Sequence, residues 1–215
     1  MGHLCDVGPT ISEQAEMPFG LSISVLRLPK DAAKWHLVYD FLRVRREVFI
    51  ERRNWRLNEA QGIEFEQYDI ATIATYIVVH SGLKVVAGAR LLRCDTQIGG
   101  GLYSYMIKDA FDGLIDLPAK ICEAAPPIDK HSWELTRLIS NHRDPVVART
   151  LLDCANDFII ANGGTRCLFL GRPGFLRMAR SYGYQPERLG RIVENDSGQF
   201  LAFKCDVVDR GMSYI

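Results

Sequence analysis

Arg45 stands at a position where the sequence predicts a buried side chain. Residues 31 to 51 repeat their apolar side chains at the spacing of an α-helix, and Arg45 falls in the middle of that apolar stripe, whereas Arg43 falls beside it. A guanidinium on a buried face must either extend to solvent or meet a buried anion. A carboxylate of the protein would satisfy it, as would an anionic group of a ligand, and the sequence leaves both interpretations open.

Three carboxylates lie close together in the next part of the chain. Glu64, Glu66 and Asp69 alternate with apolar and aromatic residues in the segment GIEFEQYD. An extended segment with this pattern places its acids on one side. A solvated edge of a domain produces the same pattern, so these residues alone do not establish a site.

A strand further along the chain carries charges that its position does not explain. The segment from Ser132 to Ile139 alternates so that Glu134 would lie on one face and Arg137 on the other, unless a bulge intervenes. Charges on both faces of a central strand are costly, so either the strand is at an edge or the two residues are paired or functional, and we favour the second explanation. Arg90 raises the same question in a strand of its own.

The elements that must position these residues alternate between strands and helices. We predict strands at 21–28, 74–80, 85–92, 132–139, 165–170, 188–194 and 200–207, and helices at 31–51, 107–114, 145–162 and 173–182. Asp31 and Asp144 are the predicted N-caps, and Pro145 suits the first position of its helix. This order predicts an α/β fold with a mixed β-sheet flanked by helices, similar to the GCN5-related N-acetyltransferases.

Composition and charge exclude several classes of protein. The 215 residues contain 26 Lys and Arg and 26 Asp and Glu, so no net charge draws the protein to nucleic acid or to an anionic membrane. No apolar stretch approaches the roughly 20 residues that span a bilayer, and the N-terminus lacks a signal-peptide pattern. We expect a cytoplasmic protein with neither partner, built as a flexible leader over residues 1–20 and a single domain over residues 21–215.

Cysteine and histidine do not form the pattern of a metal site. The six cysteines are scattered without a C-x-x-C pair, and the five histidines lack the mutual spacing of a ligand set. We expect reduced cysteines, mostly in the core, and no metal.

Four motifs together resemble those of the acyl-homoserine lactone synthases, which are the autoinducer synthases of bacterial quorum sensing. The resemblance covers about residues 35 to 180. The motifs are RVRREVFIERRNW with Arg45, Phe49 and Trp55, GIEFEQYD with Glu64, Glu66 and Asp69, GARLL with Arg90, and WELTR with Glu134 and Arg137. Glu66 stands where the family usually has Asp, and Arg93 stands where Pro is usual.

The resemblance implies a reaction in two steps on S-adenosylmethionine, with no further cofactor. The α-amine attacks the thioester of an acyl donor, and the methionyl carboxylate then displaces methylthioadenosine to close the lactone. Arg45 would bind the carboxylate of this substrate, and Glu66 and Asp69 would bind its ammonium. Phe49 and Trp55 would face the sulfonium.

The resemblance also assigns the remaining charged residues. Glu134 is the candidate base for the α-amine, acting directly or through one water. Arg90 and Arg137 would order the acidic cluster, which includes Glu64, and Arg137 would also lie near the substrate carboxylate.

The acyl group and its donor are less closely defined by the resemblance. An acyl pocket is expected between the strands at 133–139 and 165–170, lined by Leu135, Leu138 and Phe169. The donor would be acyl-CoA or an acyl carrier protein, and we favour acyl-CoA. Residues 143–191 contain eight arginines and four acids, and a basic region of this kind suits either donor. The arginines are Arg143, Arg149, Arg166, Arg172, Arg177, Arg180, Arg188 and Arg191.

Two other functions compete with this interpretation. The first is an N-acetyltransferase that uses acetyl-CoA and an amine acceptor. Against it, residues 140–145 lack the glycine-rich loop whose backbone amides would hold the pyrophosphate. The second is a regulator that binds a small ligand in an acyltransferase cleft without catalysis.

Overall fold

A nine-stranded mixed β-sheet carries the candidate residues Arg90, Glu134 and Arg137 in the computed structural model, which describes residues 16–70 and 72–211. The strands, in chain order, are β1 Glu16–Met17, β2 Leu21–Arg27, β3 Glu59–Ala60, β4 Ile63–Glu64, β5 Thr75–Ser81, β6 Lys84–Arg93, β7 Gln97–Ile98, β8 Leu102–Tyr103, β9 Ser132–Ser140, β10 Arg166–Gly171, β11 Glu187–Arg188, β12 Val193–Asn195 and β13 Gly198–Asp206. The helices are α1 Trp35–Arg45, continued by a π-helix over Arg46–Arg52, then α2 Met106–Phe111, α3 Pro145–Ala161 and α4 Pro173–Ser181.

Strands β6 and β9, which carry Arg90, Glu134 and Arg137, lie near the centre of the sheet. The order is β1-β2-β5-β6-β9-β10-β13-β11, with β12 also paired to β13, and two small hairpins, β3–β4 and β7–β8, lie outside it. Neighbouring strands run antiparallel, except that β9 and β10 run parallel. The α/β prediction of a mixed sheet flanked by helices is therefore confirmed.

Two hydrophobic cores lie on opposite faces of the sheet. On β5, Tyr76 and Val78 face the core formed with α1 and α2, whereas Ile77 and Val79 face the core formed with α3. Alternating side chains of this strand are thus buried on both faces, which explains its continuous apolar sequence. The charged candidates face the first of these cores.

The two predicted N-caps have different outcomes. The Asp144 side chain accepts a hydrogen bond from the Val146 N–H at 2.9 Å, so this cap is confirmed. The prediction for Asp31 is wrong, because α1 begins only at Trp35, after a 3-10 turn. The Asp31 carboxylate instead accepts the backbone N–H of Arg27 at 2.7 Å.

Two predictions near the ends of the chain, the strand at 188–194 and the leader at 1–20, differ from the structure. The strand predicted at 188–194 is two short strands, β11 and β12. Of the predicted leader, residues 1–15 lie outside the described part, whereas residues 16–20 form β1 and a 3-10 turn, so β1 belongs to the sheet. The single domain over residues 21–215 stays a prediction.

Candidate active site

Arg45 is the last residue of α1, and its side chain is fully buried. Its two Nη atoms donate to the Asp69 carboxylate at 2.7 and 3.0 Å, and its Nε donates to Glu64. The buried anion is therefore supplied by the protein. Burial alone would raise the pKa of Asp69, but the charges of Arg90 and Arg45 outweigh it and hold that pKa well below its usual range.

Arg90 enters the same cluster from β6. It is fully buried, and its Nη2 donates to Glu66 at 2.7 Å and to the Thr136 hydroxyl at 3.0 Å. Its Nη1 lies 3.1 Å from the Asp69 carboxylate. The Tyr76 hydroxyl donates to the same Asp69 oxygen at 3.1 Å, so that carboxylate is surrounded by donors.

Arg137 reaches the cluster because β9 contains a bulge. Ala89 of β6 lies opposite two residues of β9, between the pairs Gly88 with Ile139 and Arg90 with Thr136. Arg137 itself has φ 55°, in the left-handed region that costs energy for a residue with a side chain. Its guanidinium consequently lies on the same side of the sheet as the acids, and not on the opposite face that simple alternation predicts.

The bulged arginine closes the cluster from its accessible side. Arg137 Nη2 donates to Glu66 at 2.7 Å and Nε donates to Glu64 at 3.2 Å. We call the six residues Arg45, Arg90, Arg137, Glu64, Glu66 and Asp69 the charge network. The side chains of Glu66 and Arg137 are 11% and 7% exposed, whereas those of the other members are at most 1% exposed. The Arg137–Glu66 pair is thus the part of the network that a ligand can contact.

The acids come from a turn and not from one extended segment. Glu64 ends β4, and Glu66 precedes a 3-10 turn over Gln67–Asp69. The Glu66 backbone N–H donates to the Asp69 carboxylate at 3.0 Å, which fixes the turn. The prediction that an extended segment holds the acids is corrected here, although the three carboxylates do come together.

Two aromatic rings border the network. Phe49 and Trp55 stack with ring centroids 4.9 Å apart and planes 12° from parallel. The guanidinium of Arg137 lies 5.5 Å from the Phe49 centroid, and that of Arg53 lies 5.2 Å from the same ring. Aromatic faces of this kind attract cations, and here they contact guanidinium groups of the protein.

Glu134 is fully buried on β9, beside the start of α2. Its two carboxylate oxygens accept the backbone N–H groups of Met106 at 3.1 Å and Ile107 at 2.7 Å. Burial raises the pKa of Glu134 to about 7, although these two hydrogen bonds and the charge of Arg90 oppose the rise. A carboxylate that titrates near neutral pH is well matched to general-base catalysis.

Comparisons with known proteins establish the family of the chain. The model of the family described as autoinducer synthase matches residues 32–195. This chain belongs to that family. An acyl-homoserine-lactone synthase of Aeromonas hydrophila is 29% identical over 178 residues, covering 79% of each chain. One from Pseudomonas fluorescens is 25% identical over 166 residues, covering 75% of this chain and 76% of the relative.

Solved structures share the fold of this autoinducer synthase. A CoA-dependent acyl-homoserine lactone synthase, BjaI, solved with MTA, superposes with a TM-score of 0.75 at 21% identity, covering 89% of this chain and 85% of that one. An N-acetyltransferase structure from Lactobacillus plantarum superposes with a TM-score of 0.56 at 16% identity, covering 88% and 99%. The family is one of acyltransferases, which confirms the resemblance and the predicted enzyme class.

The residues predicted to line the acyl pocket of the synthase lie in two places. Leu135 and Phe169 line a small cavity of about 20 Å³ between the sheet, α3 and α4, where Phe169 stacks on Phe203 and meets Phe175 edge to face. Leu138 instead lines a separate cleft of about 270 Å³. These two cavities therefore divide the three residues between them.

The larger cleft of the synthase is basic. Arg52, the last residue of the π-helix, and Arg53, which follows it, line this cleft. Burial lowers the pKa of Arg53, and the neighbouring charges of Arg172 and Arg52 lower it further. Among the described residues, no carboxylate lies within 4.0 Å of these three guanidinium groups. In contrast, Arg191 of the predicted basic region lies 3.9 Å from Glu123.

Residues that sequence reasoning missed are aromatic or act through their backbone. Tyr76 lies in an apolar strand, where nothing in its spacing separates it from core residues. The N–H groups of Met106 and Ile107 contribute hydrogen bonds that no side-chain pattern encodes. Tyr68 lies within an identified motif, so its position was a usable signal.

Neither a membrane helix nor a metal cluster is found in the described part of the chain. No helix there is long and apolar enough to cross a bilayer. Across residues 16–70 and 72–211, no three His, Cys, Asp or Glu side chains gather as metal ligands.

Proposed function

We propose that the charge network and Glu134 of this acyl-homoserine lactone synthase bind S-adenosylmethionine and act on it in two steps. The observation that carries this proposal is the accessible Arg137–Glu66 pair, which presents a cation and an anion side by side next to two aromatic faces. An amino acid that carries a sulfonium has a complementary group for each of them. The product serves quorum sensing.

The first step forms the amide. Glu134 is fully buried, so it acts through one water and takes a proton from the α-ammonium. The freed lone pair attacks the thioester carbon, the N–C bond forms as the C–S bond breaks, and a second proton of the nitrogen passes to the departing sulfur. The thiol of the donor leaves. Glu134 suits this task because its pKa of about 7 lets the ionised form accept a proton near neutral pH.

The second step closes the ring. A carboxylate oxygen attacks the γ-carbon, and the electrons of the breaking C–S bond pass to the sulfonium, which leaves as methylthioadenosine. The step asks mainly for geometry, since holding the carboxylate behind the γ-carbon makes the reaction unimolecular. Arg137 is the candidate for that contact.

The role expected for Arg45 changes in the light of its contacts. Its guanidinium is fully buried between Glu64 and Asp69, so a direct contact with the substrate carboxylate has no support in the structure. We assign it to holding those two acids. Glu66, which is partly accessible, is then the acid that would meet the substrate ammonium.

We propose acyl-CoA as the donor, on the strength of the basic cleft. Arg52 and Arg53 line the cleft, and the charge of Arg172 lies close enough to lower the pKa of Arg53. Among the described residues none of the three forms an ion pair with a carboxylate, and the phosphate groups of a coenzyme would supply the missing anion. A carrier protein would instead bind through many charged contacts spread over a broad surface. We expect Arg53→Ala to raise KM for acyl-CoA at least tenfold, with Arg191→Ala as the exposed control that leaves it unchanged.

The decisive donor measurement is kcat/KM with the same acyl group on each carrier. A clear preference for the carrier protein, with salt sensitivity shared among many surface arginines, contradicts the choice of acyl-CoA. We propose that no cofactor is needed, because the two substrates supply the acyl group and the leaving group. The five described cysteines are free, which suits a location in the reducing cytoplasm.

The function itself is tested by incubating the purified protein with S-adenosylmethionine and a series of acyl-CoA donors. Mass spectrometry should find an acyl-homoserine lactone and methylthioadenosine in equal amounts. An acylated amine without methylthioadenosine would identify an N-acetyltransferase, and binding without any product would identify a regulator.

A further inference from the structure

Asp109 is a buried carboxylate that the proposed reaction does not use. It lies on α2 and is 4% exposed. One of its oxygens accepts hydrogen bonds from the Tyr68 hydroxyl and the Ser104 hydroxyl, each at 2.6 Å, whereas the other oxygen has no protein partner. Burying a carboxylate with so few hydrogen-bond donors lowers the stability of the fold, so Asp109 is a candidate for a functional role.

On one side, Asp109 is connected to the charge network. The Tyr68 side chain that it holds is almost fully buried, and the guanidinium of Arg90 lies 5.3 Å from the centroid of that ring. Tyr68 also directly precedes Asp69 in the turn that carries the acids. Fixing the hydroxyl of Tyr68 therefore fixes one wall of the network.

On the other side, Asp109 is connected to Glu134. Its hydrogen bond from Ser104 anchors the residue two positions before α2, and its own N–H donates to the Tyr105 carbonyl at 2.9 Å. These contacts set the position of the first two residues of α2, Met106 and Ile107. Their N–H groups are the ones that hold the two oxygens of Glu134.

We propose that Asp109 is a positioning residue, which through Tyr68 and Ser104 locks the start of α2 against the charge network and so keeps the two N–H donors on Glu134. This inference rests on the proposed function, in which Glu134 is the base. The structure thus joins the site for the amine and the base that deprotonates it by one buried carboxylate.

The proposal concerns the pH dependence of Glu134, so the groups around that carboxylate matter. Arg90 on β6 opposes the rise of its pKa, and Glu66 adds to the rise. Further titratable groups that interact electrostatically with Glu134 include Cys94, Tyr105, Cys122, Tyr68 and Cys167. The pKa of each of these five is raised, with burial as the largest cause, so they are neutral near pH 7 and do not titrate together with Glu134.

Tyr68→Phe is the sharpest test, because it keeps the ring against Arg90 and removes only the hydrogen bond to Asp109. We expect kcat to fall about tenfold with little change in KM, because the base is held less well. The acidic limb of the pH–rate profile should move to higher pH by about half to one unit, since weaker N–H donors leave the carboxylate harder to ionise. Ser104→Ala should shift the limb in the same direction.

Tyr184→Phe is the matched control. Tyr184 is also a buried tyrosine, and its hydroxyl donates to Asp153 at 2.9 Å on the other face of the sheet. This variant loses the same kind of bond, but its acidic limb should stay at the wild-type pH. Equal profiles for the two variants, or a limb that does not rise in Tyr68→Phe, would overturn the proposal.

Different results would contradict the proposed function and the positioning role of Asp109. If the wild-type protein makes no lactone, the proposed function is wrong and no profile exists to shift. If the wild type makes lactone but Tyr68→Phe changes only the melting temperature, Asp109 is structural and the positioning role is wrong.

Discussion

The pH dependence of Glu134→Gln tests the assignment of the base most directly. With a pKa of about 7, only about a tenth of Glu134 is ionised at pH 6 and about nine tenths at pH 8. We therefore expect kcat/KM of the wild type to rise about tenfold between these values through this group alone. Glu134→Gln should be roughly 10² to 10⁴-fold slower, while calorimetry still detects binding of S-adenosylmethionine.

The shape of the pH–rate profile distinguishes the titration of Glu134 from that of the substrate amine. The α-amine must also lose its proton, and free α-amines titrate near pH 8. In Glu134→Gln the limb at about pH 7 should vanish and leave only that of the amine. A limb near pH 7 that persists in the variant, or turnover within a few-fold of wild type, refutes the assignment.

The same raised pKa has a consequence for stability, whose sign can be worked out. The folded protein holds the proton of Glu134 more tightly than the unfolded chain, in which the pKa is near 4.5. This stabilisation is fully present below that pH and is lost as pH rises through about 7, at a cost of about 3 kcal/mol. The melting temperature of the wild type should thus fall between pH 5 and pH 8 by more than that of Glu134→Gln, and parallel curves would contradict the shift.

Three further changes test the surroundings of the site. Arg45→Ala removes one of the two cations that contact each of the buried acids Glu64 and Asp69, so chemical denaturation should show a loss of about 3–5 kcal/mol together with weaker binding of S-adenosylmethionine. Arg43→Ala on the half-exposed face should cost less than about 1 kcal/mol, and similar losses would contradict the burial argument. Gly88→Ala should destabilise the fold, because its Cβ would lie 2.6 Å from the Phe41 ring, and unchanged thermal stability would show that the ring can move. Glu66→Asp withdraws the carboxylate by one methylene, so we expect KM for S-adenosylmethionine to rise several-fold by steady-state kinetics, and an unchanged KM would remove Glu66 from amine binding.

The charged members of the site could be found from the sequence because each violates a pattern. Arg45 interrupts an apolar helical stripe, and Glu134 and Arg137 interrupt a strand that otherwise reads as buried. A violated pattern marks the residue but does not name its partner. Whether the anion next to Arg45 belonged to the protein or to a ligand was settled only by the fold, which brings residues 45, 64 and 69 together.

Other features lay beyond sequence reasoning for physical reasons. The bulge at Arg137 depends on how β9 pairs with β6, and alternation along one strand cannot show where two residues will oppose one. Asp31 has the right residue type for an N-cap, but the chain forms a 3-10 turn first and uses the carboxylate elsewhere. The support of Glu134 comes from backbone N–H groups, which every sequence contains.

The charge network is closed, since three guanidinium groups face three carboxylates with none left over. If the proposed function is right, an arriving zwitterion meets no vacant counter-ion in the network, and we expect it to exchange partners with the Arg137–Glu66 pair, its carboxylate binding the cation and its ammonium binding the anion. An analogue that lacks its carboxylate or its ammonium would separate Arg137 from Glu66 and leave one of them without a counter-ion. Because an unpaired buried polar group can cost a ligand roughly 10⁴-fold in discrimination, we expect the Arg137–Glu66 ion pair itself to select for an intact amino acid.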